Sequence, residues 1–264
     1  MIRAGLAVTG LGLATLAGAA TPAAPAAPAT SAPSAAPAAP AVNDGLPPLC
    51  PAPGAGGWRL VERFIPADCP DCWHGEPPAA RSGAAPDWFL DWVLPVADED
   101  APLAGAALRE ARDRVPDAVA SASSAAPSPG PATPLERPHL LTRAPAQPRF
   151  WVRASPAWNG YFGVQMHAVG RWPAGSRAWL ALVERLPAGS EGSGPARQLV
   201  RNLVGPLALP TAATPVPRGG GAPETAPLYA LRWPETAQPE RLITVAWVEA
   251  ADGRILRLSS DRCR

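Results

Sequence analysis

The sequence predicts a mainly β protein of the α+β class, in which a small α/β region around a Cys-x-x-Cys pair is followed by an antiparallel β-sandwich. Thirty-seven prolines in 264 residues disfavour long helices and favour short strands joined by many turns. After residue 148, seven short segments have the composition of strands and are separated by turn signals. The Cys-x-x-Cys pair directly follows another strand-like segment in the first half of the chain.

The first 20 residues have the composition of a cleaved secretory signal peptide. Residues 1–3 are a short start with one basic residue, Arg3, residues 4–20 carry no charge, and Ala17 and Ala19 match a small-residue cleavage site. The alternative is a transmembrane anchor, but the uncharged run is rich in Ala, Gly and Thr and is shorter than the ~20 apolar residues that cross a bilayer. We therefore predict a periplasmic or secreted protein that has no membrane partner after cleavage.

Two low-complexity segments divide the rest of the chain. Residues 21–45 are rich in Ala and Pro, and residues 121–147 are rich in Pro and Ser. Such segments bury too little apolar surface to offset the conformational entropy that ordering costs. They are predicted to form a disordered tether and a linker. Two folded regions are therefore expected, at residues 46–120 and 148–264.

The charge balance argues against a nucleic-acid partner. Without the signal peptide, which contains Arg3, 22 arginines balance 22 acidic residues, and the chain has no lysine. The absence of lysine also excludes lysine-based catalysis. No phosphate-binding loop, Ser-His-Asp signature or metalloprotease helix occurs, so the sequence predicts no cofactor.

The first folded region is predicted to contain two strands and a helix. Residues 58–65 have the aromatic and β-branched composition of a strand, which Pro66 ends. Residues 88–94 form a second apolar run, which stops at Pro95. Residues 102–115 place apolar and charged side chains on opposite faces of a helix.

The second folded region has the pattern of short strands joined by turns. Along residues 161–169, apolar side chains occupy every second position, as expected of a strand with one buried face. The predicted strands are 149–154, 161–169, 178–184, 198–204, 228–233, 242–249 and 254–258. Turn signals such as Asn159-Gly160 and Asp252-Gly253 lie between them. The ten tryptophans are expected to be mostly core anchors, because an indole buries a large area.

The motif that carries chemistry is Cys69-Pro70-Asp71-Cys72. A strand that leads into such a pair is typical of a thioredoxin-like redox site, in which the first cysteine lies at a helix N-terminus. Backbone N–H groups and the helix dipole then stabilise its thiolate. Cys69 is predicted to be the nucleophile and Cys72 the residue that resolves the mixed disulfide. Protein or small thiols and disulfides are the expected partners.

Two other roles for this cysteine pair remain open. A structural disulfide that locks a loop has the same spacing, and the carboxylates of Asp68 and Asp71 disfavour a thiolate. That interpretation makes the protein a non-enzymatic cell-envelope binding or structural module. A zinc or copper site formed by the two cysteines and His74 is the third hypothesis. Haem attachment is excluded because Trp73 follows the second cysteine.

The remaining cysteines are predicted to form a structural disulfide. Four cysteines in an exported chain point to disulfides, and three pairings are possible. Cys69 and Cys72 are close enough to pair with each other, which leaves Cys50 to pair with Cys263 near the other end of the folded chain. Closing so long a loop contributes at most about 5 kcal/mol in the chain-entropy model.

Several segments resemble secreted bacterial proteins that join a thioredoxin-like Cys-x-x-Cys half to a β-rich half. The matching segments are residues 61–64 (VERF) leading to 69–72 (CPDC), residues 181–184 (ALVE), 197–204 (RQLVRNLV), 244–248 (TVAWV) and 252–254 (DGR). They are scattered over most of the mature chain. The resemblance implies a periplasmic protein whose first region is an abbreviated thioredoxin-like α/β fold.

Overall fold

The computed structural model describes residues 59–75, 87–115, 134–141, 148–215 and 219–262, all of which belong to one compact unit of the chain. Eleven strands and two short α-helices lie in these residues. The prediction of a mainly β fold is therefore confirmed. The predicted signal peptide at 1–20, the tether at 21–45 and the Cys50–Cys263 disulfide lie outside the described residues.

The strands follow one another with few helical interruptions. They are β1 (Arg59–Pro66), β2 (Asp87–Leu94), β3 (Leu135–Leu140), β4 (Arg149–Ala154), β5 (Tyr161–Val169), β6 (Arg177–Leu186), β7 (Arg197–Ala208), β8 (Glu224–Thr225), β9 (Leu228–Arg232), β10 (Leu242–Glu249) and β11 (Ile255–Ser260). The helices are α1 (Pro70–His74) and α2 (Arg109–Arg114), and single 3₁₀ turns occur at Ala104–Ala106, Ser190–Gly192 and Pro239–Arg241. The seven strands predicted after residue 148 are all present, whereas β8 is not predicted.

The strands form two sheets. The larger sheet has seven strands in the order β11-β10-β6-β7-β2-β1-β3, and the smaller has the order β4-β5-β8, with β9 also paired to β5. β1 and β2 are parallel, and β2 meets β7 in parallel at Asp91 and Leu199. The larger sheet thus continues through both of the regions predicted at 46–120 and 148–264. The predicted boundary between those regions does not coincide with a boundary between sheets.

Strand β3 lies within the segment predicted to be a linker at 121–147, so that part of the prediction needs correction. It pairs antiparallel with β1, and Pro138 lies opposite Val61. Proline lacks an N–H for a ladder bond, but β3 is the edge strand of the sheet, where a missing donor is tolerated. Residues 116–133, which contain the rest of the low-complexity run, lie outside the described residues.

The helix predicted over residues 102–115 is also wrong in part. A 3₁₀ turn at Ala104–Ala106 and α2 replace it, with a break at Ala107 and Leu108. At the break, Ala107 forms a β-bridge with Val93, and the N–H of Leu108 donates to the carbonyl O of Val93. Pairing with β2 therefore removes these backbone groups from a continuous helix.

The larger sheet is buried on both faces. One face packs against the smaller sheet in a cluster that includes Val164, Met166, Leu180, Leu182, Leu231, Ala246 and Val248. The opposite face carries Phe64, Leu90, Trp88, Trp92, Val245 and Trp247, and α2 packs on it through Ala111. Most tryptophans in the described residues are buried or partly buried, as predicted, but Trp158 is 82% exposed at a hairpin turn.

None of the helices in the described part of the chain is long and apolar enough to cross a membrane.

Candidate functional site

The Cys-x-x-Cys pair lies at the carboxyl end of β1, where the chain turns into α1. The N–H of Ala67 donates to the carbonyl O of Leu94, and the N–H of Cys69 donates to that of Pro66. Cys69 caps the N-terminus of α1, and Pro70, which has no N–H to satisfy, takes the first helical position. A helix does begin at the motif, and it is five residues long.

A disulfide joins Cys69 and Cys72, with 1.98 Å between the sulfur atoms and 5.3 Å between the Cα atoms. The backbone N–H of Cys72 donates to Sγ of Cys69 at 3.3 Å. Each cysteine has 7% of its surface exposed, while the neighbouring Asp68, Pro70 and Asp71 are exposed. The disulfide therefore lies at the surface but offers only a narrow approach.

The inner side of the motif packs on a hydrophobic cluster of its own. This cluster combines the ends of β1, β2, β6 and β7 with α1 and the segment that follows β2. Its buried members are Ile65, Ala67, Cys69, Cys72, Trp73, Val93, Ala101, Leu186 and Leu199. Four strands of the larger sheet therefore support the motif.

Arg197, the first residue of β7, holds the C-terminal end of α1. Its Nη2 group donates to the carbonyl oxygens of Cys72, Trp73 and Gly75 at 3.1, 2.6 and 3.0 Å. Its Nε donates to Oγ of Ser193 at 2.7 Å. The last carbonyl groups of a helix have no partner within the helix, and a cationic donor binds them more strongly than a neutral one. We call the three hydrogen bonds from Nη2 the Arg197 clamp.

Arg197 is itself buried and connects α1 to the sheet. Its guanidinium lies 4.8 Å from the centre of the Trp73 ring and 3.5 Å from Oδ1 of Asp91. Asp91 also pairs with Arg63 at 2.6 Å, so two arginines balance this fully buried carboxylate. The indole N–H of Trp73 donates to the carbonyl O of Glu191 at 2.8 Å, which fastens α1 to the loop before β7.

The hypothesis of a zinc or copper site requires a different state of the cysteines. A metal binds thiolates, so Cys69 and Cys72 could serve as ligands only after the disulfide is reduced. The third predicted ligand, His74, is engaged locally, because its Nδ1 lies 2.6 Å from the carbonyl O of Pro70.

A second cluster of polar side chains lies in the core between α2, β1, β3 and β10. Arg114 donates through Nε and Nη2 to the carboxylate of Glu62 at 2.7 and 2.8 Å, and through Nη2 to Glu249 at 2.5 Å. Nε2 of His139 lies 2.9 Å from Oε2 of Glu62. The rings of Trp92, Trp179 and Trp247 lie 6.0, 4.5 and 5.2 Å from the guanidinium.

This second cluster has the donor types of a metal site but already contains a cation. Ligand atoms of Glu62, His139 and Glu249 lie within 4.8 Å of one another. Arg114 bonds both carboxylates and so supplies the positive charge that a metal ion would bring. We interpret the cluster as a structural one that fastens α2 and β3 to the sheet.

The charges of the second cluster stabilise one another. Burial by itself would raise the pKa of Glu62, but Arg114 and His139 outweigh it and lower the pKa from 4.5 to about 2. Burial would lower the pKa of Arg114, but the carboxylates of Glu62 and Glu249 outweigh it and raise the pKa above its ordinary value. Both partners of the Glu62–Arg114 pair therefore stay charged at neutral pH.

Arg197 and Arg114 are not among the residues that the sequence predicts for a site. A partial signal exists for their partners, since Glu62 and Asp91 lie inside mostly apolar strands, and charges inside such strands are buried only when paired. No local sequence pattern marks the two arginines themselves as residues of a site. The groups that they bind are backbone carbonyls and side chains distant in sequence.

No protein-family model matches this chain, and no curated protein matches it either. The resemblance to secreted bacterial proteins with a thioredoxin-like half therefore stays a prediction that rests on its motifs.

Proposed function

We propose that the protein is exported and carries out thiol–disulfide exchange at Cys69 and Cys72, with protein or small thiols as partners. The observation that carries this proposal is the Arg197 clamp, which holds α1 independently of the S–S bond. A redox pair must keep its geometry in both states, whereas a loop that a disulfide only braces depends on that bond. The clamp supports the first requirement, because its three hydrogen bonds involve neither sulfur atom.

The hydrogen bonds of Arg197 are expected to stabilise the position of α1 more than the disulfide does. Cys69 and Cys72 are three positions apart, and closing so short a loop contributes about 2 kcal/mol in the chain-entropy model. A hydrogen bond to a charged group contributes about 1.5–3 kcal/mol, and Arg197 makes several of them in a buried setting. Opening the disulfide is therefore expected to leave α1 in place.

The exchange reaction uses the two sulfur atoms in different roles. A partner thiolate attacks Sγ of Cys69, the S–S bond breaks, and Cys72 leaves as a thiolate that takes a proton from water. A second partner thiol then attacks the mixed disulfide and releases Cys69. Two thiols are oxidised to a disulfide, and the protein disulfide is reduced to two thiols. The N–H of Cys72, which points at Sγ of Cys69, stabilises negative charge on that sulfur.

An exported location fits this chemistry. Residues 1–20 have the pattern of a cleaved signal peptide. A disulfide is present between Cys69 and Cys72, and disulfides persist in oxidising compartments such as the periplasm or the outside of the cell. We therefore place the exchange reaction in the periplasm or in the medium.

The second candidate is a non-enzymatic cell-envelope binding or structural module. The small exposed fraction of both cysteines favours it, since an exchange reaction needs access to sulfur. In this alternative Cys69–Cys72 and the predicted Cys50–Cys263 bridge only brace the fold.

A redox titration separates the two candidates. The folded protein is equilibrated with dithiothreitol buffers of stated potential and alkylated, and the Cys69–Cys72 peptide is quantified by mass spectrometry. Exchange predicts half-reduction at a potential above about −300 mV. A lower potential, with no alkylation of the folded protein, indicates a bracing bridge. Cys50 and Cys263 provide an internal control, because a structural pair is expected to stay oxidised in the same samples.

A trapping experiment assigns the two sulfur roles. Cys72→Ser leaves Cys69 without a resolving thiol, so it should accumulate a mixed disulfide with cystamine, a small cationic disulfide. The matched Cys69→Ser variant should form its adduct more slowly, because it removes the sulfur atom that accepts the backbone N–H of Cys72, the contact that stabilises a thiolate at position 69. Equal rates for the two variants contradict the assignment.

A further inference from the structure

The exposed surface around the disulfide is acidic. Asp68 and Asp71 flank the first cysteine in the chain, and both are exposed. Three more exposed carboxylates, Asp98, Glu99 and Asp100, follow β2. Within the described part of the chain, no ion pair is formed by any of these five, which we call the acidic rim.

Packing places both parts of the acidic rim beside the motif. The N–H of Leu103 donates to the carbonyl O of Ala67 at 3.0 Å, at the turn that leads into Cys69. Ala101 belongs to the same hydrophobic cluster as the two cysteines, and its N–H donates to the carbonyl O of Asp98 at 3.3 Å. The segment that carries residues 98–100 therefore lies next to the entrance of the site.

Among the described residues, Arg112 and Arg197 donate hydrogen bonds to the same segments, but they do not balance the charge of the acidic rim. Arg112 donates to the carbonyl O of Pro95 at 2.7 Å and supplies one exposed positive charge. Arg197 is buried beneath α1, where its charge faces Asp91 and the carbonyl groups of the Arg197 clamp. Within the described residues, the five exposed carboxylates of the acidic rim outnumber the one exposed arginine that contacts these segments, so this part of the entrance is negative.

We infer that the thiol that reacts at this disulfide belongs to a positively charged partner, such as a cysteine set among arginines or lysines; this inference rests on the proposed exchange function. The attacking thiolate is itself negative, so the acidic rim repels it unless the partner brings positive charge. Complementary charge raises association rates by about 10- to 1000-fold, and salt screens the effect. Glutathione, whose net charge is negative, is then a poor partner.

The test compares thiols that differ in charge on the full-length, folded protein. Cysteamine is the cationic thiol, 2-mercaptoethanol the neutral one and 3-mercaptopropionate the anionic one. Rates of disulfide reduction are measured by alkylation and divided by the rate of each thiol with a neutral model disulfide, because both the thiolate fraction and the nucleophilicity differ with the pKa of the thiol. At low salt, cysteamine should react about tenfold faster than 3-mercaptopropionate, and the ratio should approach one in 1 M salt.

Two matched variants assign the effect to the acidic rim. Asp68→Asn/Asp71→Asn keeps the shape of two side chains but removes two charges, and should lower the ratio of cationic to anionic rates several-fold. Glu235→Gln/Glu240→Gln removes the same net charge from exposed positions in the loop between β9 and β10. Neither of these glutamates belongs to the rim, so the control variant should keep the wild-type ratio.

Each outcome bears on a different claim. Equal rates with all three thiols overturn the inference about charge while exchange itself stands. No reduction of the folded protein by any of the thiols overturns the proposed function. A peptide whose cysteine lies between arginines is compared with cysteamine. Faster reduction of the disulfide by the peptide supports a polypeptide partner, whereas equal rates of reduction support a small cationic thiol.

Discussion

Arg197→Met is the substitution that most directly tests how the disulfide segment is held. Methionine keeps an unbranched, largely apolar side chain but removes the guanidinium. The three carbonyl groups of Cys72, Trp73 and Gly75 lose their donor, and Asp91 loses one of its two cationic neighbours. Folding stability should therefore decrease, and α1 should loosen.

The expected loss is large because the network is buried. Breaking a buried charged network by removing one partner typically costs about 3–5 kcal/mol. Asp91 keeps Arg63, and methionine keeps part of the packing on Trp73, so we expect the lower half of that range, about 3–4 kcal/mol. Removing the disulfide in Cys69→Ser/Cys72→Ser should cost at most about 2 kcal/mol.

Urea denaturation followed by tryptophan fluorescence measures both losses, and linear extrapolation gives the free energy of unfolding. If Arg197→Met does not fold, Arg197→Lys provides the measurement, since it keeps the charge but cannot donate in the same directions. The reasoning is refuted if Arg197→Met loses less than about 1 kcal/mol, a typical value for an unremarkable substitution. A greater loss in the double-serine variant than in Arg197→Met would also refute it.

Three further predictions concern the core and the loops. The pKa of Glu62 is about 2 in the folded protein against 4.5 ordinarily. The ionised carboxylate therefore adds about 3 kcal/mol to the free energy of unfolding above pH 4.5, and this stabilisation is lost as the pH falls towards 2. Acid titration of Glu62→Gln should therefore show a flatter decline in unfolding free energy than the wild type, and identical slopes would contradict the pairing. A Cβ at Gly194 would overlap the carbonyl O of His74, so Gly194→Ala should lower the free energy of unfolding by more than about 1 kcal/mol. In the control variant Gly105→Ala the added Cβ has no atom within 4 Å, so this variant should melt at the wild-type temperature. Trp158→Ala should change stability by less than about 0.5 kcal/mol, and Trp247→Ala should lose about 3–5 kcal/mol; similar losses would show that the buried faces are misassigned.

Local patterns in the sequence were sufficient for many of the elements. The alternation along 161–169 predicts β5 with its bounds, and turn signals separate it from β4. The spacing of Cys69 and Cys72 predicts that they pair, and the structure contains that disulfide. These features depend on residues within a few positions of one another, so composition and periodicity reveal them.

The errors concern segments whose conformation depends on distant partners. The proline-containing segment of β3 has the composition of a linker, and it becomes a strand only because β1 offers a free edge. The helix predicted over 102–115 is interrupted because Val93 binds the backbone of Leu108. In both cases a neighbouring strand supplied hydrogen bonds that no local pattern encodes.

The sequence alone determined most of the strands, though not β3 or β8, which of their side chains are apolar and which two cysteines are close enough to bond. Only the tertiary structure decided that one sheet continues through both halves of the chain and that Arg197 reaches the end of α1. Strand identity is a local property of side-chain size and alternation. Strand order and buried ion pairs arise from contacts between residues in different elements, 28 positions apart for Arg63 and Asp91 and 135 for Arg114 and Glu249. The low dielectric of the core makes each buried charge require a partner.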